Sequence, residues 1–453
     1  MKINKFTSAL IALGVISAGS LAQANTTVYL TGSTAARAII YAAATTAGQI
    51  FSNGSTSDVI ASGGAPGSGD NYIVYEGNIA GVGTVDLNCS FTGSEAGIAA
   101  VAGQTLTQNV NGGTYALPGV PPSFLNPNNS YATTNTLAQI GGSAPANPDL
   151  TMADTSQAVS QTSATTYPLV DYGVVGIVPF TFLKGYNSNP TGSDQAWADF
   201  HNVTTAAFNQ NLSAGDLYNA NNYTGVAADA SEGVAIVGRN LGSGTRVNTL
   251  LSAQYGITTP VKQQGFDSTY PSGTPGVLTF GKNYSSGQVI QSYGNDGFDG
   301  GSSVQAELNV DGHGCGDVVI GYLGVSDGQN AVNPAKAGVS TQLAVALTYN
   351  GVYESDAGVI NGSYTFWGQE HLLGSVGQSS TQPPGETAAA IVSGIAAQLS
   401  SGHYGTATGD FSTLGAGPGG SGSGALGQSI IIPKSLMQVH RTTDVGFPVQ
   451  GNH

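Results

Sequence analysis

The chain has 453 residues, 40% of them hydrophobic and only 8% charged, enough to bury a substantial core and long enough to favour two or more domains. Its formal charge is −15 with only 11 basic residues, which argues against nucleic acid as a partner, because phosphate backbones are bound by clustered Lys and Arg. With two cysteines and no His-x-x-x-His spacing, nothing resembles a zinc site, and neither metal nor cofactor is expected.

The first 24 residues read as a cleaved signal peptide. Lys2 and Lys5 precede the apolar run from Ala9 to Ile16, and Ala22-Gln23-Ala24 gives a small-x-small cleavage pattern. The run is too short to span a bilayer, and no cysteine follows the cleavage point, so a periplasmic or extracellular protein is expected, monomeric and without a further membrane span. Losing the leader leaves nine basic residues against 26 acidic ones and deepens the charge to −17. Cys89 and Cys315 permit one disulfide in an exported chain, against the alternative of two buried free thiols; the bridge is the preferred expectation.

Next, Thr27 to Leu30 alternates as a strand, and Gly32-Ser33-Thr34 opens a helix carrying Ile39, Ile40 and Tyr41, with Arg37 in its first turn. Ile73 to Tyr75 reads as a strand. Asn88 to Thr92 leads into a second Gly-Ser helix start, Gly93-Ser94, followed by an apolar helical pattern to Val101. Residues 103 to 147 shift to Asn, Pro, Gly, Thr and Ser and read as an elaborated surface loop with a hairpin at Asn111-Gly112-Gly113. Asp154 ends the short apolar stretch Leu150 to Ala153 and, read locally, is a helix N-cap.

Tyr172 to Phe180 reads as an apolar strand long enough to cross between domains, and Leu212 to Tyr218 as a helix start. Val234 to Val237, Arg239, Gly242-Ser243-Gly244-Thr245 and then Val247, Leu250 and Leu251 spell strand, tight turn and helix. Taken alone such a turn reads as an ordinary Gly-rich turn capped by Ser243; the alternative is an anion cradle, with converging backbone N–H groups, hydroxyl donors and the positive end of the helix dipole beside a guanidinium fork. The mature chain has only four arginines, and Arg37, Arg239 and Arg246 all lie beside helix-start turns. Further on, Gly294 to Gly297 is a turn before a helix at 302–308, Val318 to Leu323 is a buried strand and a second candidate crossover, and Ala344 to Val352 is a strand and turn. Glu386 to Leu399 is a helix, residues 415–424 form a flexible Gly/Ser tract, and Ile430 to Ile432 is a last strand.

In this order the motifs resemble those of the periplasmic phosphate-binding proteins, the substrate-capturing components of ABC-type phosphate importers. The resemblance runs from about Thr27 to Trp367, is interrupted over 103–147, and is strongest at Arg239-x-x-Gly242-Ser243-Gly244-Thr245. It implies an α/β, two-domain class II periplasmic-binding-protein fold with an interdomain ligand cleft, and a phosphate ligand held by Thr34, Ala35, Ser94, Asp154, Arg239, Ser243, Gly244 and Thr245. Two positions depart from the family pattern: Leu241 stands where an acid commonly braces the arginine, and Ala35 where an aromatic is common.

The domain division that follows is residues 25–173 with 323–453 as a discontinuous first domain and 174–322 as the second. The function expected is capture of inorganic phosphate for an ABC-type permease, without catalysis. In such a site Asp154 would accept a hydrogen bond from a protonated phosphate oxygen, which sulfate cannot supply. The alternative is an exported surface or matrix protein that reuses the fold without transport.

Overall fold

A computed structural model describes residues 25–54, 59–61, 70–110, 113–116, 122–125, 143–266, 290–333, 343–376, 383–400, 429–441 and 449–450. Residues 1–24, read as a signal peptide, residues 111–112 and most of the rest of 103–147, and residues 415–424 lie outside the described residues.

Strand β1 (Thr26–Gly32) alternates Val28 and Leu30 into the core, and a short 3₁₀ turn at Thr34–Ala36 leads into helix α1 (Arg37–Thr45), whose Ile39, Ile40 and Ala43 are buried. Then come β2 (Val59–Ala61), β3 (Tyr72–Ile79) and β4 (Gly83–Ser90), the last pairing parallel with β1, and α2 (Ser94–Val101), buried along its whole length. The loop region holds two small antiparallel pairs, β5 (Thr107–Val110) with β6 (Gly113–Ala116) and β7 (Ser123–Leu125) with β8 (Ser143–Pro145). The first is the expected hairpin, its strands ending on either side of Asn111-Gly112.

Strand β9 (Leu150–Ala153) lies parallel to β1 on the side away from β4. Strand β10 (Leu169–Lys184) is 16 residues long and runs through both halves of the sheet. Register shifts between Asp171 and Gly173 and between Val174 and Gly176 let it change direction on the way, and Gly173 takes φ +124°, a conformation open to glycine.

Beyond it lie α3 (Gln195–Asp199), β11 (Asn202–Val203), α4 (Thr205–Ala214) and α5 (Asn221–Thr224). The helix start expected at 212–218 is instead the end of α4. Thr204 is the N-cap, its side chain accepting from the Ala207 N–H, and Gly215 stops the helix at φ +68°.

Strand β12 (Gly233–Val237) is followed by α6 (Gly244–Ser252), β13 (Gln263–Gly265), β14 (Gln291–Gly294), α7 (Gly301–Leu308), β15 (Asp317–Gly324) and α8 (Val325–Val332). Strand β15 pairs parallel with β12 and antiparallel with Phe180 to Lys184 of β10. The chain stays with this half through β16 (Val345–Ala346), which pairs with Leu183 and Lys184, and β17 (Thr348–Tyr349), which pairs with β11. After α9 (Asp356–Asn361), β18 (Trp367–Ser375) pairs with Leu169 to Pro179 of β10 and with β9. Strand β18 thus joins β10 to the part of the sheet formed by β9 and β1.

The sheet order is β12, β15, β10, β18, β9, β1, β4, β3, β2, with β16 on the flank of β10. One apolar core runs under both halves, and a second gathers Leu183, Val237, Phe298, Val304, Leu308 and Leu323 in the later half. Helix α10 (Pro383–Ser400) buries Ile391, Ile395 and Leu399 in the first of these; truncating either isoleucine to Ala should cost about 2–5 kcal/mol. Ile432 makes only a bridge with Ile177, where a strand is expected; its N–H and carbonyl exchange hydrogen bonds of 2.8 and 2.9 Å with that residue. Among the described residues no helix is long and apolar enough to cross a membrane.

The expected Cys89–Cys315 bridge is absent, and both are free thiols. Cys89 is buried in β4 and Cys315 sits on the turn before β15, five places along the sheet, about 24 Å at 4.8 Å per strand, where a disulfide needs Cα atoms within about 7 Å. Burial raises both thiols, Cys315 to about 12.

Candidate functional site

The cradle turns meet where β1, β9 and β18 end. Gly32 takes φ +108°, and its carbonyl accepts from the Gly93 N–H at 2.8 Å, while the Ser33 N–H reaches the Met152 carbonyl at 2.8 Å. These bonds hold the starts of α1 and α2 against the end of β9. The Ser94 hydroxyl oxygen accepts from the Asp154 N–H at 3.2 Å, which leaves its own proton available to donate. Asp154 caps no helix: the 3₁₀ turn that follows has Ser156 at its N-cap.

From the other half, Asn240 shapes the turn. Its side-chain oxygen accepts from the Gly242 N–H at 3.0 Å and its carbonyl from the Ser243 N–H at 3.3 Å. Ser243 caps α6 by accepting from the Arg246 N–H at 3.3 Å. Gly244 lies so close to Asp154 that a Cβ there would collide with the carboxylate oxygen Oδ1 and sit 2.7 Å from the Ser94 Cβ. Asn248 fixes the contact from α6, its Nδ2 donating to the Asp154 carbonyl at 2.8 Å and to the Gly244 carbonyl at 3.2 Å.

Ser94, Asp154, Ser243 and Gly244 are thus brought into direct neighbourhood, with the Ser33-Thr34 turn tied to them through Gly93 and Met152. Thr34 and Ala35 are half-buried and Thr245 is buried; none of the three makes a side-chain hydrogen bond to the others. Among the described residues the backbone N–H groups of Thr34, Ala35, Gly244 and Thr245 have no hydrogen-bond partner. The start of α2 differs: the Glu95 and Ala96 N–H groups both donate to the Gly242 carbonyl, at 3.1 and 3.2 Å, so the protein itself occupies that helix end.

The arginines divide. Arg239 is 5% exposed, its Nε donating to the Phe298 carbonyl at 3.3 Å and its Nη2 to the Asp299 carbonyl at 2.8 Å, and its charge acts on Asp154, Asp299 and Asp327. Leu241 packs on Ala99 and Leu106. Arg246, by contrast, is structural. It is buried and donates to the Arg239 carbonyl at 2.8 Å and to the Asn295 side-chain oxygen at 2.6 Å. Arg37 pins its own turn through the Thr34 carbonyl at 3.3 Å and the Asn71 side-chain oxygen at 2.7 Å.

Electrostatically, burial dominates. It raises Asp154 to about 6, against the pull of the Ser94 hydroxyl and the Arg239 charge. Asp154 Oδ1 is buried with no hydrogen-bond partner. Three acids of this region lie outside the motif reading. Glu95 in α2 is satisfied by Thr155, Ser160 and the Gln161 N–H, at 2.8, 2.8 and 2.9 Å. Glu370 on β18 accepts from the Ser33 hydroxyl at 3.1 Å, and Asp327 on α8 lies against Gly301. In the sequence Glu370 stands between Gln369 and His371, a polar triplet that gives it no distinct signal.

No family model matches the sequence, and no curated protein matches it. Among solved structures it is similar to a Clostridium perfringens protein described as a phosphate ABC transporter substrate-binding protein, solved with bound phosphate. That match has 13% identity over 83% of this chain and 98% of that one, with a TM-score of 0.42. An ABC-type phosphate transport receptor from Vibrio cholerae matches at 11% identity over 81% and 93% of the two chains, TM-score 0.38. PstS from Borrelia burgdorferi matches at 12% identity over 77% and 87%, TM-score 0.32. Likenesses at this level assign the chain neither ligand nor role. It is an α/β protein similar in structure to phosphate ABC transporter substrate-binding proteins.

Proposed function

We propose that the protein captures inorganic phosphate between its two halves, outside the cytoplasm, and hands it to an ABC-type permease. The proposed ligands are Thr34, Ala35, Ser94, Asp154, Arg239, Ser243, Gly244 and Thr245. The observation that carries the reading is the buried, unpartnered Oδ1 of Asp154 among unoccupied backbone and hydroxyl donors. An acceptor beside donors and one guanidinium suits an oxyanion that brings its own proton: the donors take the bare oxygens and Asp154 takes the P–OH. Domain closure about β10 and the segment before β18 would bring the α6 turn onto the ligand, and binding would favour the closed state by its differential affinity. Nothing in the arrangement needs a nucleophile, and a binding role is proposed rather than a catalytic one. Asp154→Asn tests the reading: phosphate affinity should fall at least about tenfold while sulfate gains relative to it, and an unchanged phosphate-to-sulfate ratio would contradict it.

A second reading, an exported surface or matrix protein that keeps the fold without transport, is favoured by the Gly242 carbonyl in the mouth of α2. There the Gly242 carbonyl of the α6 turn accepts directly from the Glu95 and Ala96 N–H groups. Thermal stability that is indifferent to phosphate, together with assembly on the cell surface, would support it.

A further inference from the structure

The register of β18 and β9 ends with His371 opposite Ala153, so Glu370 and Asp154 are the next residue along each chain, close enough for the Asp154 charge to act on Glu370. Both carboxyl groups are buried, Glu370 at 0% and Asp154 at 3% exposure, and each keeps one oxygen, Oε1 and Oδ1, without a partner. The other Glu370 oxygen accepts from Ser33, which opens the turn carrying Thr34 and Ala35.

We propose that Glu370 is a specificity-determining partner of Asp154: the two neighbouring carboxyl groups hold one proton between them, which makes anion capture dependent on that proton. This inference rests on the phosphate reading for its ligand but not for the carboxyl pair itself.

The groups around the pair support it. On β10 the residue opposite Glu370 is Gly176, which brings no charge. His371, next along β18, is turned to Asp171 at 2.9 Å. Arg239 acts on Asp154, and from the β1 side Ser33 offers a hydroxyl. Burial first, and then the Asp154 charge, push Glu370 well above the ordinary carboxylate range, against Ser33 and His371. Two anions side by side in a buried site cannot both form cheaply, so the pair keeps one proton, and the stronger upward push on Glu370 leaves Asp154 the better acceptor. Ionising Glu370 would put a further negative charge beside a bound anion and expel it.

The test has two arms on the full chain and its Glu370→Gln variant, which keeps an acceptor for Ser33. Without ligand, the native-minus-variant infrared difference spectrum at neutral pH should show the carbonyl stretch of one protonated carboxylic acid, the bands of other protonated acids cancelling. No such difference band would overturn the shared proton. In the second arm, inorganic phosphate affinity of the native chain should fall as pH rises through the Glu370 ionisation, by up to about tenfold per pH unit. The variant should hold its affinity, and parallel profiles would overturn the specificity role. Ser33→Ala, which removes a bond that favours the ionised carboxylate, should move the native fall to higher pH. Failure of both proteins to bind phosphate at any pH would remove the phosphate reading, and the infrared arm then decides the pair alone.

Discussion

Two helix starts with the same Gly-Ser signature have opposite fates. At α2 the N–H groups of its second and third residues, Glu95 and Ala96, are both taken by the Gly242 carbonyl; at α6 only the third, of Arg246, is taken, by the Ser243 cap, and those of Gly244 and Thr245 have no partner among the described residues. Both ends carry the same partial positive charge. What separates them is what the chain places in front of each: at α2 the cradle turn itself, at α6 a carboxylate with an unpartnered oxygen. A Gly-Ser helix start is therefore a potential anion site, and its neighbours decide whether it is open.

The contrast can be broken most sharply at the guanidinium. Arg239→Ala removes the cation that acts on Asp154, and phosphate binding should weaken by about 2–5 kcal/mol, thirtyfold or more, by calorimetric titration. Arg246→Ala should appear first as lost stability, because that side chain holds the Arg239 and Asn295 carbonyls. Gly244→Ala closes the open helix start from within. Its Cβ would displace Asp154, costing about 1–3 kcal/mol in a denaturant titration and removing phosphate binding, whereas a native-like affinity would show that α6 is not the mouth of the site.

The paired serines sharpen the comparison at smaller scale. Ser243→Ala loses the α6 cap and should cost about 1 kcal/mol of stability. Ser94→Ala leaves the buried Asp154 N–H without its acceptor, so it should cost about 1–3 kcal/mol of stability as well as ligand affinity.

The smallest expected effect is on pH. Burial raises Glu95 to about 7 and Asp317 to about 7, both above their unfolded values of 4.5 and 3.8. The folded chain then binds more protons than the unfolded one between those limits, so stability is highest at the acid end and falls as pH rises from about 4 to about 7. Melting temperature should track this, and Asp317→Asn should flatten part of the slope.

Much of this geometry was legible in the sequence where local chemistry decides it. Apolar runs next to Gly-Ser turns located β1, β12, α1, α2 and α6, because a buried strand followed by a capped helix start has few alternatives. Other features depend on distant partners. Thr204, not the 212–218 stretch, starts a helix because its side chain finds the Ala207 N–H, and Gly215 ends that helix. The pairing of 345–349 with the later half of the sheet is invisible in so short a stretch. Glu370 is one of three consecutive polar residues, Gln369 to His371, until the fold brings it next to Asp154, and Leu241 reads as a lost brace because its packing on Ala99 and Leu106 depends on distant residues.

The measurement that tests the central claim most directly is calorimetric titration of the leaderless protein with phosphate and then with sulfate at neutral pH. The account predicts saturable one-to-one phosphate binding and at least about a hundredfold weaker sulfate binding, since only phosphate brings the proton that Asp154 would accept. No phosphate binding, or equal affinity for the two anions, would contradict it.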